Sequence, residues 1–167
     1  MISAIFSLPA PFGPVISTGR SERATWQASA ITRSLAGYTT IENLSLLGSG
    51  NIGGTGNALA NAITGNSGAN TLNGGLGNDV LKGGAGKDIF LFNTTLGASN
   101  IDRLTDFNVV DDTIRLENAI FTALTATGTL AAGAFARNTS GLAQDADDRL
   151  IYETDTGKLF YDSNGKA

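Results

Sequence analysis

The chain has 167 residues and 17.1 kDa, about one domain's worth, and is poor in aromatics but holds 22 glycines. Its net charge of −4 and pI near 4.6 exclude the basic clusters that nucleic-acid binding needs. It has no cysteine and no histidine. That removes a disulfide framework, a thiolate or His-Glu-x-x-His zinc site, and the Ser-His-Asp triad, so no enzyme is expected.

Residues 1 to about 27 show no clear period, and an irregular N-terminal arm is expected over 1–33. Pro9, Pro11 and Pro14 break the mildly apolar start, which has no positive n-region and does not read as a signal peptide. No apolar run approaches the ~20 residues of a membrane helix, so no membrane span is expected. From Ser34 to Leu47 the pattern becomes strand-like, with Leu44 and Leu46 alternating with polar neighbours.

A nine-residue repeat follows. Its units are GNALANAIT (56–64), GNSGANTLN (65–73), GGLGNDVLK (74–82) and GGAGKDIFL (83–91). Each opens on glycine, at Gly56, Gly65, Gly74 and Gly83. The sixth position reads Asn61, Asn70, Asp79, Asp88, and the eighth reads Ile63, Leu72, Leu81, Phe90. Upstream, residues 47–55 keep the composition but slip by about one residue. Nine is not a helical period. Each unit reads as a six-residue turn and a three-residue strand, too short to stand alone. Such strands must stack as a solenoid that buries the eighth-position side chains.

Beyond Phe92 the period fails. Residues 101–116 carry a second alternating pattern through Ile101, Leu104, Phe107, Val109, Ile114 and Leu116. The Ala/Thr/Leu-rich stretch 119–136 suggests a short helix. Residues 149–162 read as a β-hairpin turning at Asp155-Thr156-Gly157, with Gly157 in the left-handed conformation. Tyr152, Phe160 and Tyr161 fit its cross-strand pairing. The organisation expected is an irregular arm over 1–33, a nonapeptide roll over 34–92 and a C-terminal cap over 93–167.

The chemistry sits in the two units that match GGxGxDxUx in full: Gly74-Gly75-Leu76-Gly77-Asn78-Asp79-Val80-Leu81-Lys82 and Gly83-Gly84-Ala85-Gly86-Lys87-Asp88-Ile89-Phe90-Leu91. Glycines allow a turn in which several carbonyls point inward. Ca²⁺ takes about 6–8 oxygens, more than one turn offers, so an ion would sit between two stacked turns. Asn61 and Asn70 either give a neutral oxygen each or form an asparagine ladder. A metal-independent structural or adhesive solenoid is the alternative. The G-x-G-x-x-G at Gly48–Gly53 opens no helix and does not read as a dinucleotide site, and Asp145, Asp147 and Asp148 read as a solvated turn.

These repeats resemble those of RTX (repeats-in-toxin) proteins. The stretch Ile101-Asp102-Arg103-Leu104-Thr105-Asp106-Phe107, with Asp111-Asp112-Thr113-Ile114-Arg115-Leu116 and the Ala143–Tyr152 lead-in, looks like the C-terminal domain of serralysin-type metalloproteases. The resemblance implies an all-β fold: a right-handed parallel β-roll with two nonapeptides per coil, followed by a C-terminal antiparallel strand or hairpin cap. It implies Ca²⁺ as the cofactor. Gly74, Gly75, Gly77 and Asp79 would face Gly56 and Asn61, and Gly83, Gly84, Gly86 and Asp88 would face Gly65 and Asn70. Asp102 is the further ligand it places beside Asp79. It also implies a secreted, extracellular, monomeric module, exported by type I secretion machinery and folding on calcium outside the cell. The protease half is absent, and the family's tail runs on past the position of Ala167, so a truncated cap is expected.

Overall fold

The computed structural model describes residues 24–28, 33–155 and 158–164. The strands are β1 (Ala24–Ala28), β2 (Arg33–Ser34), β3 (Ile41–Leu46), β4 (Gly53–Thr55), β5 (Ala62–Thr64), β6 (Thr71–Asn73), β7 (Val80–Lys82), β8 (Ile89–Phe92), β9 (Arg103–Leu104), β10 (Thr113–Leu116), β11 (Phe135–Asn138), β12 (Leu150–Glu153) and β13 (Leu159–Tyr161). Odd strands β1-β3-β5-β7-β9 form one sheet, and even strands β10-β8-β6-β4-β2 form the other. Successive strands therefore alternate between two faces, and the chain winds as a parallel β-roll. The fold is all-β, as the resemblance implied.

The repeat sets the register. Ile63 pairs with Leu81, Leu72 with Phe90 and Leu81 with Leu104, so each coil lays its eighth-position side chain on that of the coil before. Ile63, Leu72, Leu81 and Phe90 are 0 % exposed. Fully burying such a side chain gains about 1.5–3 kcal/mol, which is what a three-residue strand contributes to its own retention. Gly54 takes the same inward place opposite Leu72. A Cβ there would lie 3.2 Å from Leu44 Cδ2 and 3.3 Å from Ile63 Cγ2, so the crowding of its neighbours fills the space. Leu35, Leu44, Leu46 and Ile52 extend the core upstream.

The chain divides into two compact units, residues 1–90 with 97–114, and residues 91–96 with 115–167. The arm expected over 1–33 includes strand β1, which pairs in parallel with β3; residues 1–23 and 29–32 lie outside the described residues. In the second unit β11 pairs in parallel with β12, and β12 is antiparallel to β13 with Ile151 opposite Phe160. Ala136, Ala143 and Ile151 form its buried cluster. The Phe121 and Tyr161 rings meet edge to face at 5.0 Å, and Tyr161 Oη accepts the Ala123 N–H at 2.7 Å. The hairpin turn residues Thr156 and Gly157 lie outside the described residues.

The helix expected within 119–136 is not formed. Ile120 and Phe121 make a single turn on the Glu117 carbonyl, and the only helical element there is a 3-10 turn at Ala132–Ala134. Gly128, at φ 105°, cannot sit in a right-handed helix, and the stretch has no apolar period to bury one face.

Candidate calcium site

The turns of the roll stack along its two edges, one rung every second nonapeptide. On the first edge the Asn61 N–H donates to Asp79 Oδ1 (2.7 Å), and the Asp79 N–H donates to Asp102 Oδ1 (3.0 Å). On the second the Asn70 N–H donates to Asp88 Oδ1 (2.8 Å), and the Asp88 N–H donates to Asp112 Oδ1 (2.9 Å). The sixth-position residues thus form two ladders, Asn61–Asp79–Asp102 and Asn70–Asp88–Asp112.

The sequence reading placed Asp102 beside Asp79, and it lies there. The resemblance gave Asp112 no ligand place, yet Asp112 completes the second ladder. The signal was present: Asp102-Arg-Leu104 and Asp112-Thr-Ile114 repeat the Asp-x-apolar step of Asp79-Val-Leu81 at a longer spacing. The insertions between them hid the register.

Asp106 was also missed as a positioning residue. In the earlier coils the first-position N–H finds a backbone carbonyl one coil on, Gly56 to Asn73 O and Gly65 to Lys82 O. Gly83 and Gly84 instead donate to the two carboxylate oxygens of Asp106, at 2.8 and 2.9 Å. A carboxylate bridging two backbone N–H groups closes the turn where the roll runs out.

The turn geometry explains the glycines. Gly77 and Gly86 adopt φ 116° and 118°, a region costly for any residue with a Cβ. A Cβ at Gly86 would also lie 2.6 Å from the Gly68 carbonyl oxygen of the facing turn. The same close approach brings Gly74 O and Asn61 Oδ1 together against Gly56, and Gly83 O and Asn70 Oδ1 together against Gly65. Each pair of stacked turns therefore gathers backbone and side-chain oxygens from both members.

The electrostatics are unbalanced. Asp79 and Asp88 are 1 % exposed, and the second carboxylate oxygen of each, Oδ2, is buried with no hydrogen-bond partner. Burial, opposed by the Asn61 N–H and reinforced by neighbouring Asp102, pushes the Asp79 carboxyl up to about 7. Burial likewise raises Asp88, with Asp112 and Asp106 adding like charge, and it raises Asp102. Buried carboxylates with orphaned oxygens are costly unless a cation joins them. Oxygen-only donors, several of them carbonyls, are the set a hard divalent ion takes. Among the described residues no group of three or more acidic, His or Cys side chains gathers as a metal cage; the oxygens the stacked turns bring together include the backbone carbonyls of Gly74 and Gly83. The residues fit calcium.

Residues 55–90 match the family model of the RTX calcium-binding nonapeptide repeat, in four copies. Neither a curated protein nor a solved structure matches the chain. Calcium-binding repeats within a parallel β-roll make a calcium-binding β-roll the class the chain fits. More narrowly, residues 55–90 are similar to RTX nonapeptide repeats, which bind Ca²⁺. Among the described residues no helix is long and apolar enough to cross a membrane.

Proposed function

We propose that this chain is a folding and export module of a type I secreted protein, held open where calcium is scarce and folded by Ca²⁺ outside the cell. The observation that carries the reading is the pair of orphaned, fully buried oxygens, Asp79 Oδ2 and Asp88 Oδ2. Asp79 would hold an ion with Gly74, Gly75 and Gly77 of its own turn, the facing Gly56–Asn61 turn on one side and Asp102 on the other. Asp88 would do the same with Gly83, Gly84 and Gly86, the facing Gly65–Asn70 turn, and Asp112. The bound ion supplies positive charge between stacked turns. The chain's own residues supply the oxygens, the tight bends and the strand stacking.

Coupling to location follows from mass action. Extracellular calcium modules bind at about 10⁻⁴–10⁻³ M. Millimolar calcium then adds on the order of 1 kcal/mol per site, and the far lower cytosolic level adds almost nothing. Two or more sites decide the fate of a roll with strands this short. The likeness of residues 101–116 and 143–152 to the serralysin-type C-terminal domain supports export through type I machinery, and no step in this reading needs catalysis.

Circular dichroism in millimolar calcium and in EGTA tests the reading. The β signal and melting temperature are expected to rise with calcium; spectra and melting unchanged by EGTA contradict it. Export is tested in cells carrying a type I exporter, where the chain should reach the medium, and retention inside would contradict that part.

A further inference from the structure

The turns that open at Gly56 and Gly65 differ chemically on their two sides. Downstream, each presents a backbone N–H to an aspartate. Upstream, each closes its gap with side-chain amides. Asn57 Nδ2 donates to the Tyr38 and Ile41 carbonyls, at 2.6 and 2.9 Å. Asn61 Nδ2 donates to the Ile41 carbonyl at 3.3 Å and to Asn57 Oδ1 at 3.2 Å. On the other edge Asn66 Nδ2 donates to the Leu47 and Gly50 carbonyls, at 3.2 and 3.1 Å. Asn70 Nδ2 donates to the Ile52 carbonyl and to Asn66 Oδ1, both at 3.0 Å. The same Gly-Asn-x-x-x-Asn pattern builds both.

Carbonyl oxygens pointing into the gap between two turns need a positive partner. A calcium ion is one; an asparagine amide, with two N–H donors on one nitrogen, is another. The acceptor ends are used too. Asn57 Oδ1 and Asn66 Oδ1 accept the Leu59 and Gly68 N–H groups, both at 2.8 Å. Asn61 Oδ1 and Asn70 Oδ1 accept the Asn57 and Asn66 N–H groups, at 2.8 and 2.7 Å. The backbone differs to match. Gly68 stands where Gly77 and Gly86 stand in their turns, but it lacks their positive φ. The buried, partnerless oxygens appear only downstream, on Asp79 and Asp88 among these sixth-position residues.

We propose that the asparagine pairs Asn57–Asn61 and Asn66–Asn70 close the upstream gaps with amide hydrogen bonds in place of ions, so that residues 41–73 form a calcium-independent base on which the coils from Gly74 onward fold when calcium arrives. The second half of this statement rests on the calcium reading above; the first half does not. The roll then never has to start from nothing. A preformed edge templates each calcium-dependent coil, and the neutral side chains avoid the carboxylate repulsion that the aspartates bring.

Hydrogen exchange of the full chain, read by mass spectrometry in EGTA and in millimolar calcium, tests it. Peptides covering 41–73 are expected to exchange within about tenfold of the same rate in both conditions, tenfold corresponding to ~1.4 kcal/mol. Peptides covering 80–92 should lose far more protection in EGTA. Protection lost in EGTA over both segments overturns the inference while leaving the calcium reading intact. Protection kept over both supports the amide base and defeats the calcium reading. Replacing the amides with carboxylates, Asn57→Asp together with Asn66→Asp, sets oxygen against oxygen. Loss of EGTA protection over 41–73 is expected, and unchanged protection in this variant overturns the proposal.

Discussion

At the scale of single residues, one carboxylate carries an opposing pair of effects. Without metal, a buried Asp79 whose pKa is raised from the ordinary aspartate value to about 7 costs stability once ionised. An acid that is raised on folding contributes stability below its unfolded pKa and loses it as pH climbs through the folded value. In EGTA the roll should therefore be less stable at pH 8 than at pH 5, with the change falling between about pH 4 and pH 7. Urea unfolding at the two pH values checks this, and equal midpoints would contradict it. In calcium the ion must displace that proton, so affinity should weaken as pH falls through the same window. Gly86→Ala makes a second residue-scale prediction. A Cβ at φ 118°, 2.6 Å from the Gly68 carbonyl oxygen, should cost about 1–3 kcal/mol in millimolar calcium, measured by urea unfolding. The aspartates and glycines of the two intact repeats were legible in the sequence because each kind of residue answers one demand of the turn. Asp106 was not legible as a cap, because its role depends on two N–H groups that are left over only once the roll ends.

Among the elements, the strands were readable to the extent that the period held. Nine residues per unit fixed β5 to β8 and their buried Ile63, Leu72, Leu81 and Phe90, since a single inward position per strand leaves no choice of face. Where spacing drifted, the reading weakened. Asp112 entered the second ladder through an insertion that changes loop length without changing the Asp-x-apolar step. The stretch 119–136 was misread as helical on composition alone, since Ala and Leu favour a helix only when an apolar face repeats and no glycine is forced to positive φ. The stacked core yields a prediction of its own. Leu81→Ala removes a fully buried side chain that packs between Ile63 and Leu104. It should cost about 2–5 kcal/mol, and thermal melting in calcium would show it. A loss under 1 kcal/mol, roughly the size of a surface change, would mean that the coils do not stack as described.

For the molecule as a whole, calcium would link the acidic turns to a fold that strands of this length could not hold alone. The roll has ladders of unlike kind at its two ends, amide-closed upstream and carboxylate-bearing downstream, and only the latter call for an ion. Calcium titration calorimetry of the chain beside its Asp79→Asn and Asp88→Asn double variant tests this link most directly. The wild-type chain should bind calcium in the submillimolar to millimolar range with ions at both edges. The double variant should bind weakly or not at all, while its melting temperature in EGTA equals or exceeds that of the wild type, because the buried charge is gone. A double variant that binds as many ions with the same affinity would contradict the account.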